Sequence, residues 1–296
     1  MTESSFPDLQ ARGGLLIGLI GSGIGGSFSP QLHETEARAQ GFELHYRLLD
    51  SKLRGFAAAD LPRLLDAMVL TGFCGSNVTH PFKEAIVAYL AGLSDAATEI
   101  GAVNTIVRDP VRGWIGHNTD WIGFTESFRR GLTDAAIGRV VLLGAGGAGA
   151  AVSYGMLRHG VGELLIVDHD RAKAAELAAK LGARFGAGRA RTADTLESVI
   201  DSIDGVINAT PIGMTGKPGT PFDPALLDAR LWVADIIYFP RETALLRAAH
   251  ARGCRAISGG GMVVFQAAEA FRLFTGVTPD RERMLRHFQS SAAGTD

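Results

Sequence analysis

The sequence predicts an α/β protein of two domains: an N-terminal open α/β domain, then a doubly wound domain, with C-terminal helices returning to the first. Three observations predict this. Short apolar runs alternate with helix-period segments almost throughout, the pattern of parallel strands covered by helices on both faces. A glycine-rich turn at Gly144 follows an apolar run and precedes an amphipathic stretch. The strand–helix pattern restarts near Arg139, where a second domain would begin.

The elements follow in order. Residues 15–20, LLIGLI, read as a buried strand, and residues 30–40 as a helix with Pro30 in its first turn and Ser29 as cap. Residues 44–49 are a second strand, 61–70 a helix and 73–78 a third strand. Residues 81–90 are expected to form the next helix, again opened by a proline. Residues 105–107 and 114–116 read as a small hairpin around Asp109-Pro110. Residues 124–130 lie in a connecting helix. After the restart come a buried strand at 140–143, a helix at 148–158, a strand at 164–167 and a helix at 172–181. Strands at 206–208 and 232–237 and helices at 243–251 and 262–274 complete the pattern. The tail from Ser290 reads as a frayed end.

Composition narrows the function classes. The chain has 296 residues, 46% of them apolar, which is ample for a packed core. A formal net charge of -2, with no long basic block, gives no reason to expect a nucleic-acid partner. Two cysteines, Cys74 and Cys254, are too few for a disulfide framework and read as buried reduced thiols. Residues 1–10 lack the basic and apolar regions of a signal peptide. No apolar run approaches ~18 residues, so a cytoplasmic protein without a membrane partner is expected. The histidines show no HExxH or CxxC companions, so no metal site is expected. His80 and His117 read as loop-packing residues.

Gly144-Ala145-Gly146-Gly147-Ala148-Gly149 has glycines at its first, third and sixth positions, and a strand ending at Asp168 follows at about the 20-residue distance such a motif needs. Glycine lets the backbone approach a pyrophosphate, and the helix N-terminus supplies amides. Asp168 suits the ribose hydroxyls of NAD and repels the 2′-phosphate of NADP. NAD is therefore favoured, although Arg171 close by softens the discrimination. A second run, Gly21-Ser22-Gly23-Ile24-Gly25-Gly26, has the same spacing and sees Asp50 at the end of the next strand. Its helix starts several residues late, so it reads as a flexible loop that delivers Ser27 and Ser29.

Ser27, Ser29, Thr79, Lys83, Asn104 and Asp120 are expected to gather at the C-terminal edge of the strands, where open α/β sheets bind ligands. Hydroxyls, an amide, an ammonium and a carboxylate suit a small polyhydroxylated ring carboxylate. The serines and Thr79 can donate to its carboxylate, while Lys83, Asn104 and Asp120 can fix ring hydroxyls. Each also has a plain structural use: Ser29 as a cap, Lys83 as a solvated lysine three residues into a helix, Asp120 as an N-cap.

The chain resembles the shikimate/quinate dehydrogenases from about Gly18 to Phe274. The resemblance is carried by Ser27-Phe28-Ser29-Pro30-Gln31-Leu32-His33, Asn77-Val78-Thr79-His80-Pro81-Phe82-Lys83, Gly101-Ala102-Val103-Asn104-Thr105 and Gly116-His117-Asn118-Thr119-Asp120. The glycine loop, Asn208-Ala209-Thr210-Pro211-Ile212-Gly213-Met214, Asp235-Ile236-Ile237-Tyr238, and Met262 with Gln266 carry it further. It implies a substrate domain of residues 1–118 completed by 255–296, and a Rossmann-type nicotinamide domain of residues 119–254. It implies that Ser27, Ser29 and Thr79 hold the substrate carboxylate, and that Lys83, Asn104, Asp120 and Gln266 hold the ring hydroxyls. Tyr238 and Met262 would line the substrate and nicotinamide pocket, with Thr210 and Gly259 on the cofactor side. Lys83 would be the acid/base and Asp120 its partner in oxidising a ring alcohol, although either could carry the proton.

Three departures matter. The usual Asn-Arg-Thr segment that reads NADP is replaced by Asp168-His169-Asp170-Arg171, as in the NAD-preferring quinate/shikimate branch. Glu34 stands where many members have Asn. Gly259-Gly260-Gly261 precedes Met262 where one glycine is usual. Quinate or an aminoshikimate as main substrate, or a non-catalytic NAD-binding regulator of the same fold, are the rival readings. Monomer and homodimer are both compatible with the sequence.

Overall fold

The computed structural model describes residues 14–292, so the expectations for residues 1–10 and for the chain beyond 292 lie outside the described residues. The described chain divides into two compact units, one running to Thr119 and resuming at Gln266, the other spanning Asp120–Phe265. Among the described residues there are two six-stranded sheets and ten α-helices, none of them long and apolar enough to cross a membrane.

In the first unit β1 (Leu15–Gly21) leads to α1 (Ser29–Ala39), β2 (Leu44–Asp50), the single turn α2 (Ser51–Arg54), α3 (Leu61–Leu70) and β3 (Phe73–Val78). A 3-10 segment (Ala85–Tyr89), β4 (Gly92–Leu93), α4 (Asp95–Ile100), β5 (Thr105–Asp109) and β6 (Gly113–His117) follow. The sheet order is β2-β1-β3-β5-β6-β4. β1 is buried on both faces: Ile17 and Leu19 pack with Phe271 and Phe274, while Ile20 packs with Leu61, Leu65 and Phe82. Edge strand β2 has one backbone amide, that of Tyr46, covered by the Glu34 carboxylate at 2.9 Å, which gives this unusual residue a structural use.

In the second unit α5 (Asp120–Gly131) precedes β7 (Arg139–Leu143), α6 (Gly147–His159), β8 (Glu163–Val167), α7 (Arg171–Phe185) and β9 (Ala190–Thr192). Then come β10 (Gly205–Asn208), β11 (Trp232–Asp235), α8 (Ala244–Ala251) and β12 (Arg255–Ile257). All the pairings are parallel, in the order β12-β11-β10-β7-β8-β9. The order reverses between β7 and β10, and a dinucleotide lies across such a reversal in doubly wound sheets. α9 (Gly260–Thr275) begins in the second unit and ends in the first, and α10 (Arg281–Ala292) closes the described chain. The frayed end expected from Ser290 is therefore helical as far as Ala292. Arg283 anchors α10 by donating from Nε and Nη2 to the buried Glu36 carboxylate on α1, at 2.8 and 2.6 Å.

The structure corrects several expectations. The first sheet is mixed, because β5 runs antiparallel to both β3 and β6. Residues 81–90 do not form an α-helix: the Lys83 carbonyl accepts from Val103 N at 2.8 Å, so a tertiary bond takes the acceptor a helix would need. Lys83 is thus in a turn. Ser29 is the first residue of α1 and makes no cap; its own amide donates to Ser27 Oγ at 3.2 Å. His80 is exposed, not packed. The boundary expected at 254/255 falls inside the second unit, where β12 pairs with β11. The short strands β9 and β12 were not expected, since three residues are too few to show a period.

Candidate active site

Within the first unit, one buried polar network joins the ends of β3, β5 and β6. Asn77 Nδ2 donates to Thr105 Oγ1 at 3.1 Å and to the Asn104 carbonyl at 3.3 Å. Tyr46 Oη donates to Asn77 Oδ1 at 2.8 Å. Asn104 Oδ1 accepts from Thr119 N at 2.7 Å and from Thr105 Oγ1 at 3.0 Å. Its Nδ2 donates to Thr119 Oγ1 at 2.9 Å and to Gln266 Oε1 at 3.4 Å. Thr119 Oγ1 also donates to Gln266 Oε1, at 3.3 Å. Asn77, Asn104, Thr105 and Thr119 are all buried. Such a network holds one geometry, because each unpaired member would lose its solvation without replacement. Burial also pushes the Tyr46 phenol well above its usual range, while the Ser29 hydroxyl bonded to it pulls the other way.

The antiparallel course of β5 explains how Asn104 reaches this edge. It precedes its strand, and Thr105 pairs with Asn77 near the C-terminal end of β3. The backbone ties continue: Val78 N donates to the Asn104 carbonyl at 2.8 Å, and Asn104 N to the His117 carbonyl at 3.1 Å. The Val103–Lys83 bond joins the Lys83 turn to the same segment. Thr79 N donates to the Ile20 carbonyl at 2.9 Å, placing Thr79 beside the end of β1. Ser27, Ser29, Thr79 and Lys83 are half-buried and Asn104 is buried. Sequence reasoning passed over Tyr46, Asn77, Thr105 and Thr119 as site-building residues. All but Tyr46 stand inside the segments that carried the resemblance, one or two positions from the residues that were singled out.

In the second unit the glycine turn has the shape a dinucleotide needs. A Cβ on Gly149 would lie 2.0 Å from the Gly144 carbonyl oxygen, so only glycine lets α6 start this close to β7. Nothing lies within 4 Å of a Cβ at Gly146, which leaves that face open. Gly146 caps α6 without a side-chain bond, and the first amides of a helix have no partner inside it. Gly147 and Ala148 open the helix, and Ala145 N donates to Asp168 Oδ2 at 2.7 Å. Asp168 Oδ1 accepts from Asp170 N at 2.8 Å and lies 2.8 Å from His169 Nδ1. Burial works against the Asp168 charge, but these amides outweigh it and hold the carboxyl below its usual range. The residues therefore fit an adenosine-bearing dinucleotide with free ribose hydroxyls.

Other residues of this unit find definite partners. Arg171 reaches Asp194 at 3.3 Å, with both side chains exposed. Thr210 Oγ1 donates to Asn208 Oδ1 at 2.7 Å. Asn208 Nδ2 donates to Asp235 Oδ1 at 3.0 Å, and Thr243 Oγ1 to Asp235 Oδ2 at 2.7 Å. Burial raises the Asp235 carboxyl, opposed by these donors. Gly259 N donates to the Ile237 carbonyl at 3.0 Å. Met262 is buried in the core cluster with Phe128 and Trp232, and Tyr238 is exposed. Asp120 is buried and opens α5.

Comparison with known proteins agrees with this geometry. Residues 19–106 match the shikimate dehydrogenase substrate binding domain, and residues 259–287 the shikimate 5'-dehydrogenase C-terminal domain. A shikimate dehydrogenase (NADP(+)) of Streptomyces avermitilis is 50% identical over 282 residues, 95% of this chain and 96% of that protein. A quinate/shikimate dehydrogenase (NAD(+)) of Corynebacterium glutamicum is 44% identical over 278 residues, 93% of this chain and 98% of that protein. Among solved structures, quinate dehydrogenase from Corynebacterium glutamicum in complex with NAD superposes with a TM-score of 0.88 at 44% identity, covering 94% of this chain and 99% of that one. With relatives this similar along nearly the whole chain, and with the polar edge and glycine turn described above, the protein belongs to the shikimate/quinate dehydrogenase family.

Proposed function

We propose that this chain is a nicotinamide-dependent dehydrogenase that interconverts shikimate and 3-dehydroshikimate, prefers NAD to NADP, and also oxidises quinate to 3-dehydroquinate. The observation that carries the substrate side is the network of buried Asn77, Asn104 and Thr119 with half-buried Gln266, which fixes amide and hydroxyl groups at one sheet edge. The long contacts of Gln266, at 3.3 and 3.4 Å, are the ones a substrate hydroxyl would replace most cheaply. Solved relatives carry such ligands: the Thermus thermophilus shikimate 5-dehydrogenase in complex with NADP(H) and shikimate has a TM-score of 0.81 at 31% identity, over 94% of this chain and 99% of that one.

Ser27, Ser29 and Thr79 donate to the ring carboxylate, and Asn104 and Gln266 orient the hydroxyls. A nicotinamide dinucleotide held at the Gly144–Gly149 turn would supply the acceptor for the hydride that leaves the carbinol carbon. Lys83 and Asp120 hold and move the hydroxyl proton, which passes from the substrate oxygen to Lys83 Nζ or the Asp120 carboxylate. Support for this pairing comes from the backbone: Lys83 is bonded to Val103, the neighbour of Asn104, while Asn104 clamps Thr119, the neighbour of Asp120. Tyr238 and Met262 border the ring, with Thr210 and Gly259 on the cofactor side. Asp168 reads the ribose and disfavours a 2′-phosphate. The protein works in the cytoplasm, as a monomer or homodimer.

The test is a matrix of shikimate and quinate against NAD and NADP, compared by kcat/KM. Shikimate with NAD is expected to lead, and Lys83→Met to lower kcat by ~10²–10⁴-fold. No reduced nicotinamide with either substrate, or a Lys83→Met enzyme with parental kcat, would refute the reading.

A further inference from the structure

The second glycine run, residues 21–26, copies the spacing of a dinucleotide turn, and its carboxylate partner, like Asp168, bonds backbone amides of the glycine run it faces. Asp50, the last residue of β2, commits both oxygens to backbone amides. Its Oδ1 accepts from Gly23 N at 2.8 Å and Lys52 N at 2.9 Å, and its Oδ2 accepts from Ile24 N at 2.9 Å. The loop expected to be flexible is therefore pinned. Bonding continues from Ile24 into the serines: the Ile24 carbonyl accepts from Ser27 N at 3.0 Å, and Ser27 Oγ accepts from Ser29 N at 3.2 Å. Thr79 joins the same assembly. A Cβ on Gly21 would lie 2.4 Å from Thr79 Cγ2 and 2.6 Å from Ile24 Cγ2, and Ser22 N donates to the His80 carbonyl at 3.1 Å. One carboxylate thus anchors the turn that carries Ser27 and Ser29 and abuts Thr79.

We propose that Asp50 is a positioning residue for recognition of the substrate carboxylate, locking the turn so that Ser27 and Ser29 present their hydroxyls beside Thr79. The proposal rests on the assignment of those three hydroxyls under the proposed function. Its sign is distinctive. Asp50 is an anion bonded to the loop that receives an anion, so Coulomb's law alone says that removing its charge tightens substrate binding. Positioning says the opposite. An asparagine in its place offers one acceptor oxygen, and its NH₂ faces backbone donors it cannot satisfy.

The experiment compares shikimate with its methyl ester as substrates for the parent enzyme and for Asp50→Asn. KM for the acid is expected to rise roughly tenfold, about what one charge-assisted hydrogen bond contributes, with kcat largely preserved. The preference for acid over ester in kcat/KM should shrink with it. A KM that is unchanged or lower overturns the proposal. So does a higher KM with the acid-to-ester preference intact, the signature of general loosening. Should Asp50→Asn not yield folded protein, Asp50→Glu keeps the charge but displaces it by a methylene, and retention of the preference there is equally fatal. Ser27→Ala with Ser29→Ala tests the underlying assignment separately: if that pair keeps the parental KM and preference, the carboxylate assignment fails whatever Asp50 does.

Discussion

Replacing His33 by phenylalanine isolates one proton-linked contribution to the stability of the first unit. The imidazole on α1 is fully buried, and neither ring nitrogen has a hydrogen-bond partner. It sits among Tyr46, Phe271 and Phe274, with ring centroids 5.2, 6.0 and 5.7 Å away. Charging it there would strip solvation that nothing replaces, so burial lowers its pKa from 6.5 to about 3. The unfolded chain takes up this proton near pH 6.5 and the folded chain only near pH 3. Between those values the unfolded state holds more protons, so stability is full above pH 6.5 and falls as pH falls. One proton is worth about 1.4 kcal/mol per pH unit, so roughly 2 kcal/mol is lost between about pH 7.5 and pH 5. Phenylalanine keeps a ring in the stack, removes two unsatisfied nitrogens and does not titrate. Urea unfolding of parent and His33→Phe across this range should show the variant gaining on the parent by that amount as pH drops. Taking the difference between the two proteins cancels the carboxylates they share. A constant difference from pH 7.5 to pH 5 would refute the reasoning.

Three further outcomes are expected. Gly149→Ala forces a methyl within 2.0 Å of the Gly144 carbonyl oxygen, so NADH affinity measured by fluorescence should fall at least about tenfold; parental affinity would contradict the close-approach argument. Asp168→Ala removes the acceptor for Ala145 and Asp170 amides and the negative charge proposed to repel a 2′-phosphate, so the NAD-to-NADP ratio of kcat/KM should drop, and an unaltered ratio would remove the ribose argument. Thr243→Val deletes both the donor to Asp235 and the N-cap bond to Leu246 N, a loss of about 2 kcal/mol by calorimetry. Because burial already raises the Asp235 carboxyl, that residue's contribution is lost as pH rises, and the damage should be greater at neutral pH than in mild acid.

The sequence by itself determined the elements whose signal is local. The apolar runs of β1 and β7 show in composition, because strands buried on both faces need continuous apolar side chains. α3 shows in its period, and the α6 turn shows in its glycines because no larger residue fits at Gly144 and Gly149. The residue types at the polar edge were legible too, since Ser27, Ser29, Thr79, Lys83 and Asn104 lie in compact segments. Tertiary structure alone decided what depends on partners distant in the chain. The Lys83 carbonyl is taken by Val103, which turned an expected helix into a turn. The antiparallel course of β5 carries Asn104 to the edge from the opposite direction. Asp50 became a latch because its oxygens meet amides 26 and 27 residues away. A hydrogen bond is worth little until its donor is held and desolvated, and that depends on chain segments no local window contains.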